Sequence, residues 1–167
     1  GVLLAGLYRE GIGKPAHGPM PTDVRREGGE AAIRRVLNWL AKDDPASLEP
    51  SIDGKAPTVA FNLITLSMLI GTDLMPDLAG HILMVEEIGE YDYAFDRAMF
   101  HVTSALSHAG LMGLRLGRVS DVQENDRPFL HDHEAIARHW CGEAGIEYLG
   151  RADIGHDIAN RIVPFGK

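Results

Sequence analysis

The chain has 167 residues, 45% hydrophobic and 24% charged, with a formal net charge of −8, a profile that suits a globular protein of one large domain or parts of two. That acidic balance argues against binding a phosphate backbone. No apolar run approaches the roughly 20 residues of a membrane-spanning helix, and no cationic start leads into a signal peptide. The single cysteine, Cys141, excludes an internal disulfide and fits a reducing compartment. Following Trp140 in an apolar helical stripe, it reads as a packed core residue and not as a nucleophile.

Val2, Leu3, Leu4 and Leu7 predict a short amphipathic helix over 2–11. The pattern starts in mid-helix with neither Met nor a capping residue, so the natural polypeptide is expected to extend upstream of Gly1. Three prolines keep "KPAHGPMP" extended and turn-rich. In "GEAAIRRVLNWLAKDD" (29–44), Ile33, Val36, Leu37 and Leu40 fall on one helical face, which is expected to point inward. The stretch 43–55 is rich in Pro, Ser, Asp and Gly and reads as a linker between a unit 1–42 and a domain 56–167.

Beyond the linker, "APTVAFNL" is β-prone and "LITLSMLIG" is a helix stopped by Gly71. "HILMVEE" lacks polar alternation, which predicts a strand buried on both faces in a sheet covered by helices on each side. "YDYAFDRAMFHVTSALSHAG" sets Phe95, Met99, Val102 and Leu106 on one face, with Gly110 at its end. A strand "GLRLGRVSDV", a helix "HDHEAIARHWCGEAG" and a strand "IEYLGRADIGHD" complete an alternation that predicts an α/β fold.

The buried strand of "HILMVEE" ends in two adjacent acids. Strand carboxyl ends in α/β sheets border ligand sites, and successive residues point to opposite faces. One of Glu86 and Glu87 is therefore expected at a site, and the other in solvent or paired with a surface cation. His156 follows Gly155, a small residue that would let the chain turn sharply just past a strand. "HDHE" (131–134) is the rival, as a metal site. Its two histidines are two positions apart and diverge on a helix, so it reads as a polar helix start with Asp132 as N-cap. His101 and His108 are too far apart for one ion. No phosphate loop or GxSxG elbow is present, and Ser67, Ser104 and Ser107 lie in helical patterns.

Three stretches, "HGPM" (17–20), "FNLITLSMLIGTDLMPDLAGHILMVEEIGEYDYAFDRAM" (61–99) and "GHDIANRIVPFG" (155–166), together resemble the LD-carboxypeptidases. These serine peptidases include muramoyl-tetrapeptide carboxypeptidase and the microcin-immunity peptidases. The resemblance implies a Ser-His-Glu triad. Glu86 matches the family's catalytic glutamate, Glu87 its acidic neighbour, and His156, 70 positions after Glu86, the triad histidine. The family's nucleophile sits in a G-[YF]-S-D turn ahead of the helix leading to HGPM, which puts it before Gly1 and leaves this fragment inactive by itself.

The implied fold is the tail of an N-terminal α/β domain followed by a C-terminal α/β domain of swivelling type with a helix-covered sheet. The implied activity is cytoplasmic release of D-Ala from murein tetrapeptide in peptidoglycan recycling, by a homodimer without metal or cofactor. Asn62 is a candidate substrate contact or a backbone cap, and His17 lies near the site or serves structure. Ala60-Phe61 replaces the family's Gly-Gly before Asn62, which is expected to reshape the pocket there. Two alternatives stand beside this reading: the same chemistry on a peptide–nucleotide antibiotic, and a non-catalytic peptide-binding or dimerisation domain.

Overall fold

The computed structural model describes residues 1–166. In chain order the elements are α1 (Val2–Arg9), β1 (Ala16–His17), α2 (Gly29–Lys42), β2 (Thr58–Asn62), α3 (Leu63–Leu69), β3 (Ile82–Ile88), α4 (Asp92–Leu106), β4 (Gly113–Ser120), α5 (His133–Ala144), β5 (Tyr148–Arg151) and β6 (Val163–Pro164). Strands β2 to β5 form a parallel sheet in the order β2-β3-β4-β5, with one helix in each crossover. The alternation of strand and helix signals in the sequence corresponds to this α/β sheet. Helix α4 stops at Leu106 and not near Gly110, which takes φ +71° in the turn beyond.

Strand alternation assigns the two faces. Val59, Phe61, Leu83, Val85, Leu114 and Leu116 point to the helical side, where they pack with Phe95, Met99 and Ile136 in the main core. Ala60 and Met84 point the other way, into a smaller cluster with Ala152, Ile154 and Val163. Both faces of β3 are thus buried, as its unbroken apolar run predicts. The second layer, however, is not helical. It consists of the chain after β5 and of β6, which pairs antiparallel with β1, a contact that no local pattern announces.

Residues from the first part of the chain join these layers directly. Ala5 lies in the main core, and Tyr8 bonds His81 Nε2 at 2.7 Å while meeting Phe165 edge-on. The stretch expected as a linker is also pinned: Leu48 bridges Ile162, and the buried Glu49 accepts from Asp153 N at 3.1 Å. Helix α2 is turned from its expected orientation. Ala32 and Trp39 are buried, while Leu37 and Leu40 are 58% and 65% exposed. Arg35, partly buried on the same helix, donates to the carbonyls of Ile158 and Asn160 at 3.1 and 2.7 Å.

A bulge prepares the sheet edge for the site. Val85 pairs with Leu116 but Glu87 pairs with Val119, so Gly117 and Arg118 together face the single residue Glu86. A Cβ on Gly117 would stand 2.9 Å from Glu86 Cβ and 2.9 Å from the Ile154 carbonyl oxygen, so only glycine lets the three segments meet. Gly117→Ala is expected to lower stability by about 1–3 kcal/mol. Gly142→Ala, in α5 with nothing within 4 Å of the added Cβ, is expected to raise it by about 0.5–1 kcal/mol. Denaturant melts of the two variants check both signs.

Candidate active site

Strand parity separates the adjacent acids. Glu86 continues the Met84 side, towards the second layer, and Glu87 continues the Val85 side, towards α3. Glu86 is fully buried, and its Oε2 lies 2.6 Å from Nδ1 of His156. A neutral imidazole donating from Nδ1 carries its lone pair on Nε2. The His156 side chain is 41% exposed, so this basic nitrogen belongs to a ring that reaches the open. Nε2 of His17 stands 3.9 Å from the other Glu86 oxygen, Oε1.

Glu87 differs from its sequence expectation. It is neither solvated nor paired with a surface cation. It is 2% exposed and accepts three N–H groups: Asn62 Nδ2 at 2.5 Å, Ile64 N at 2.8 Å and Ile88 N at 2.9 Å. Its burial beside the start of α3 ties that helix to the end of β3. Asn62 caps α3 through Oδ1, which accepts from Thr65 N at 2.9 Å, so its main engagements are a helix cap and Glu87. It still borders the cavity that holds Glu86 and His156.

Burial pushes the Glu86 carboxyl up, but the hydrogen bond from His156 and the neighbouring His17 outweigh it, and the group sits below the usual glutamate range. For Glu87, burial wins over its N–H donors and the nearby Glu86 charge adds to it, so that carboxyl lies above the range. The Glu86 hydrogen bond holds the His156 imidazolium above its ordinary value, against burial.

Three arginines set the His156 loop in place. Arg118 grips both oxygens of Asp157 and reaches Asp153 Oδ1 at 2.5 Å. Arg26 donates to the His156 carbonyl, and Arg35 holds the carbonyls further on. Inside the loop, Asn160 Oδ1 accepts from Gly155 N at 3.2 Å. The chain bends at 155–157, as expected, although Gly155 is not in the left-handed region. A Cβ there would press on Arg118 Cβ and Nε, each 3.0 Å away, and the glycine gives the guanidinium passage to Asp157.

The whole arrangement opens on a 960 Å³ cavity bordered also by Gly1, Trp39 and Asn62. Residues 55–167 match the sequence model of the LD-carboxypeptidase C-terminal domain. The chain belongs to the LD-carboxypeptidase family. Murein tetrapeptide carboxypeptidase of Pseudomonas aeruginosa is 26% identical over 182 residues, covering 99% of this chain and 58% of that protein. The crystal structure of muramoyltetrapeptide carboxypeptidase from Oxalobacter formigenes superposes with a TM-score of 0.75 at 23% identity, covering 99% and 59% of the two chains. Microcin C7 self immunity protein MccF in the apo state of an inactive mutant gives 0.76 at 16% identity, covering 99% and 60%. The chain thus spans somewhat more than half the length of these relatives, and the shared fold extends over nearly all of it.

Other residues singled out in the sequence lie apart from the Glu86–His156 pair. Ala60 and Phe61 are fully buried, Phe61 against Phe165, and neither borders the cavity, so their substitution for glycines does not reshape the wall beside Asn62. Asp132 caps α5 through Ala135 N at 2.7 Å, and His133 bonds Asp92 at 2.9 Å, which turns "HDHE" into helix architecture. Ser67 bonds His101 at 2.8 Å on the exposed side of α3. Burial lifts the Cys141 thiol to about 11, in keeping with a core residue. Arg118, Arg26, Arg35 and Asp157 escaped the sequence reading. Only Asp157, next to His156, carried a local hint.

Arg118→Leu leaves Asp153 and Asp157 facing each other without their shared cation. It is expected to speed amide exchange across residues 155–160 and to lower stability by about 1.5–3 kcal/mol. A second expectation follows from the raised His156 value. Its contribution is fully present below the ordinary value of 6.5 and fades as pH rises through the higher folded value. The stability advantage over Glu86→Gln is therefore expected to shrink as pH rises above 6.5, measured by denaturant unfolding.

Proposed function

We propose that this chain supplies the glutamate and the histidine of a serine LD-carboxypeptidase that releases the terminal D-Ala of murein tetrapeptide in peptidoglycan recycling. The observation that carries the reading is the 2.6 Å contact between buried Glu86 and His156 at the edge of an open cavity. Family membership and the name of the Pseudomonas aeruginosa relative support the substrate class.

No serine borders this cavity among the described residues. Gly1 does, and its amino group is close enough to feel the charge of Glu86. A segment preceding Gly1 would be delivered straight to the acid–base pair, which is where the resemblance puts the nucleophile. Residues 1–42 then belong to the end of the nucleophile domain and 56–167 to the domain that carries Glu86 and His156.

The roles follow from general chemistry. A serine hydroxyl is a weak nucleophile at neutral pH, so a base must take its proton as it attacks the peptide carbonyl. His156 does so at Nε2, and Glu86 on Nδ1 fixes the tautomer and stabilises the imidazolium that forms. The same imidazolium then gives the proton to the departing amine of D-Ala. Water repeats the sequence on the acyl-enzyme, and the shortened peptide leaves. None of these steps calls for a metal. The reading places the enzyme in the cytoplasm as a homodimer, in line with the family resemblance.

In the protein carrying its upstream segment, Glu86→Gln and His156→Ala are each expected to lower kcat for D-Ala release about 10³–10⁴-fold with the fold retained. Full activity in either variant, followed by chromatography of the product, would refute the assignment. A peptide–nucleotide amide assayed in parallel separates the alternative substrate, and an upstream sequence without a serine turn separates the binding module.

A further inference from the structure

Glu86 is fully buried, yet only Oε2 has a hydrogen-bond partner. Oε1 has none, and the buried Nδ1 of His17 also has none. A buried carboxylate oxygen left without a donor costs about 1–3 kcal/mol, so a donor within reach is to be expected. The nearest candidate is Nε2 of His17, 3.9 Å from Oε1. That gap is too long for a direct bond, and a ring movement of about 1 Å closes it. Hydrogen bonds among catalytic groups are commonly long in the free protein and tighten when substrate arrives.

The backbone under His17 is not free to drift. His17 pairs with Val163 in the β1–β6 ribbon, and the next residue, Gly18, has Ile162 Cδ1 only 2.6 Å from where a Cβ would stand. The His17 side chain is 14% exposed. Ring 17 therefore approaches Glu86 from the ribbon while ring 156 approaches it from the loop after β5. The two imidazoles address different oxygens of one carboxylate.

We propose that His17 is a positioning residue that donates its Nε2 proton to Glu86 Oε1, so that the carboxylate is held between two imidazoles and His156 feels only part of its charge. This rests on the reading of Glu86 and His156 as the acid–base pair. Its consequence lies in the second half of the reaction. A glutamate facing His156 alone holds the imidazolium proton tightly, whereas a glutamate shared with His17 lets that proton pass to the leaving amine.

Other charges surround the pair. Glu87 stands on β3 beside Glu86, and Arg26 reaches His156 from the turn after β1. Asp157 and Arg118 flank the His156 loop. All of these are unchanged when residue 17 alone is replaced.

The test is a ¹⁵N NMR titration of the His156 ring in the protein carrying its upstream segment and in its variants. His17→Ala is expected to raise the His156 midpoint, because Glu86 regains its undivided charge. His17→Gln, whose side-chain amide nitrogen takes the place of Nε2, is expected to restore the original midpoint. A merely structural His17 gives the opposite sign: a loosened Glu86 releases His156 and the midpoint falls. An unmoved or lowered midpoint in His17→Ala overturns the proposal. Glu86→Gln separates the two levels. If it lowers the midpoint, the acid–base pair stands whatever His17 does, and if it does not, the pair itself fails. Should His17→Ala not fold, the unaltered chain still decides: a bare, unprotonated Nε2 on His17 at neutral pH overturns the proposal, and a protonated one supports it.

Discussion

An ionised carboxylate sealed at the end of a parallel strand governs this structure. Glu86 has no exposed surface, and an isolated charge in such a place is tolerated only with donors and counter-charges around it. The contact from His156 supplies the first of these. The bulge at Gly117, the approach of Ile154 and the β1–β6 ribbon shape the space in which the charge is held. Each of these features is local and unremarkable alone. Their common product is one imidazole set on one carboxylate oxygen.

The neighbouring acid shows how far strand geometry divides labour. Glu86 and Glu87 differ by one position, and the pleat sends them to different layers. The first meets imidazoles and is held ionised, and the second meets amide donors at the head of α3 and is pushed towards neutrality by burial. Two carboxyl groups driven apart in this way take different work. Glu86 holds the His156 imidazole, whereas Glu87 joins β3 to α3 through Asn62 and Ile64.

Rigid placement of His156 comes from cations outside the reacting atoms. Arg118 holds the side chain of the following residue, Asp157, while Arg26 and Arg35 hold loop carbonyls. On the proposed reading of His156 as a base, such support matters, because a small misplacement of a base costs heavily in rate.

Local pattern carried much of this protein. The unbroken apolar run of β3, the amphipathic spacing of α4 and the Asp132 cap of α5 were legible because each is set by neighbours within a few residues. Glu86 and His156 were legible as a pair through motif resemblance. Physics read from the chain alone placed each merely at a strand end, since 70 residues separate them. What the sequence could not express was which groups meet across layers. The β1–β6 ribbon over the second face, the arginines around the loop, the burial of Glu87 and the approach of His17 all join segments distant in the chain. Periodicity records which way a residue points within its own element. Only the packing of elements decides what it points at, and here that packing set the ionisation of two adjacent glutamates in opposite directions.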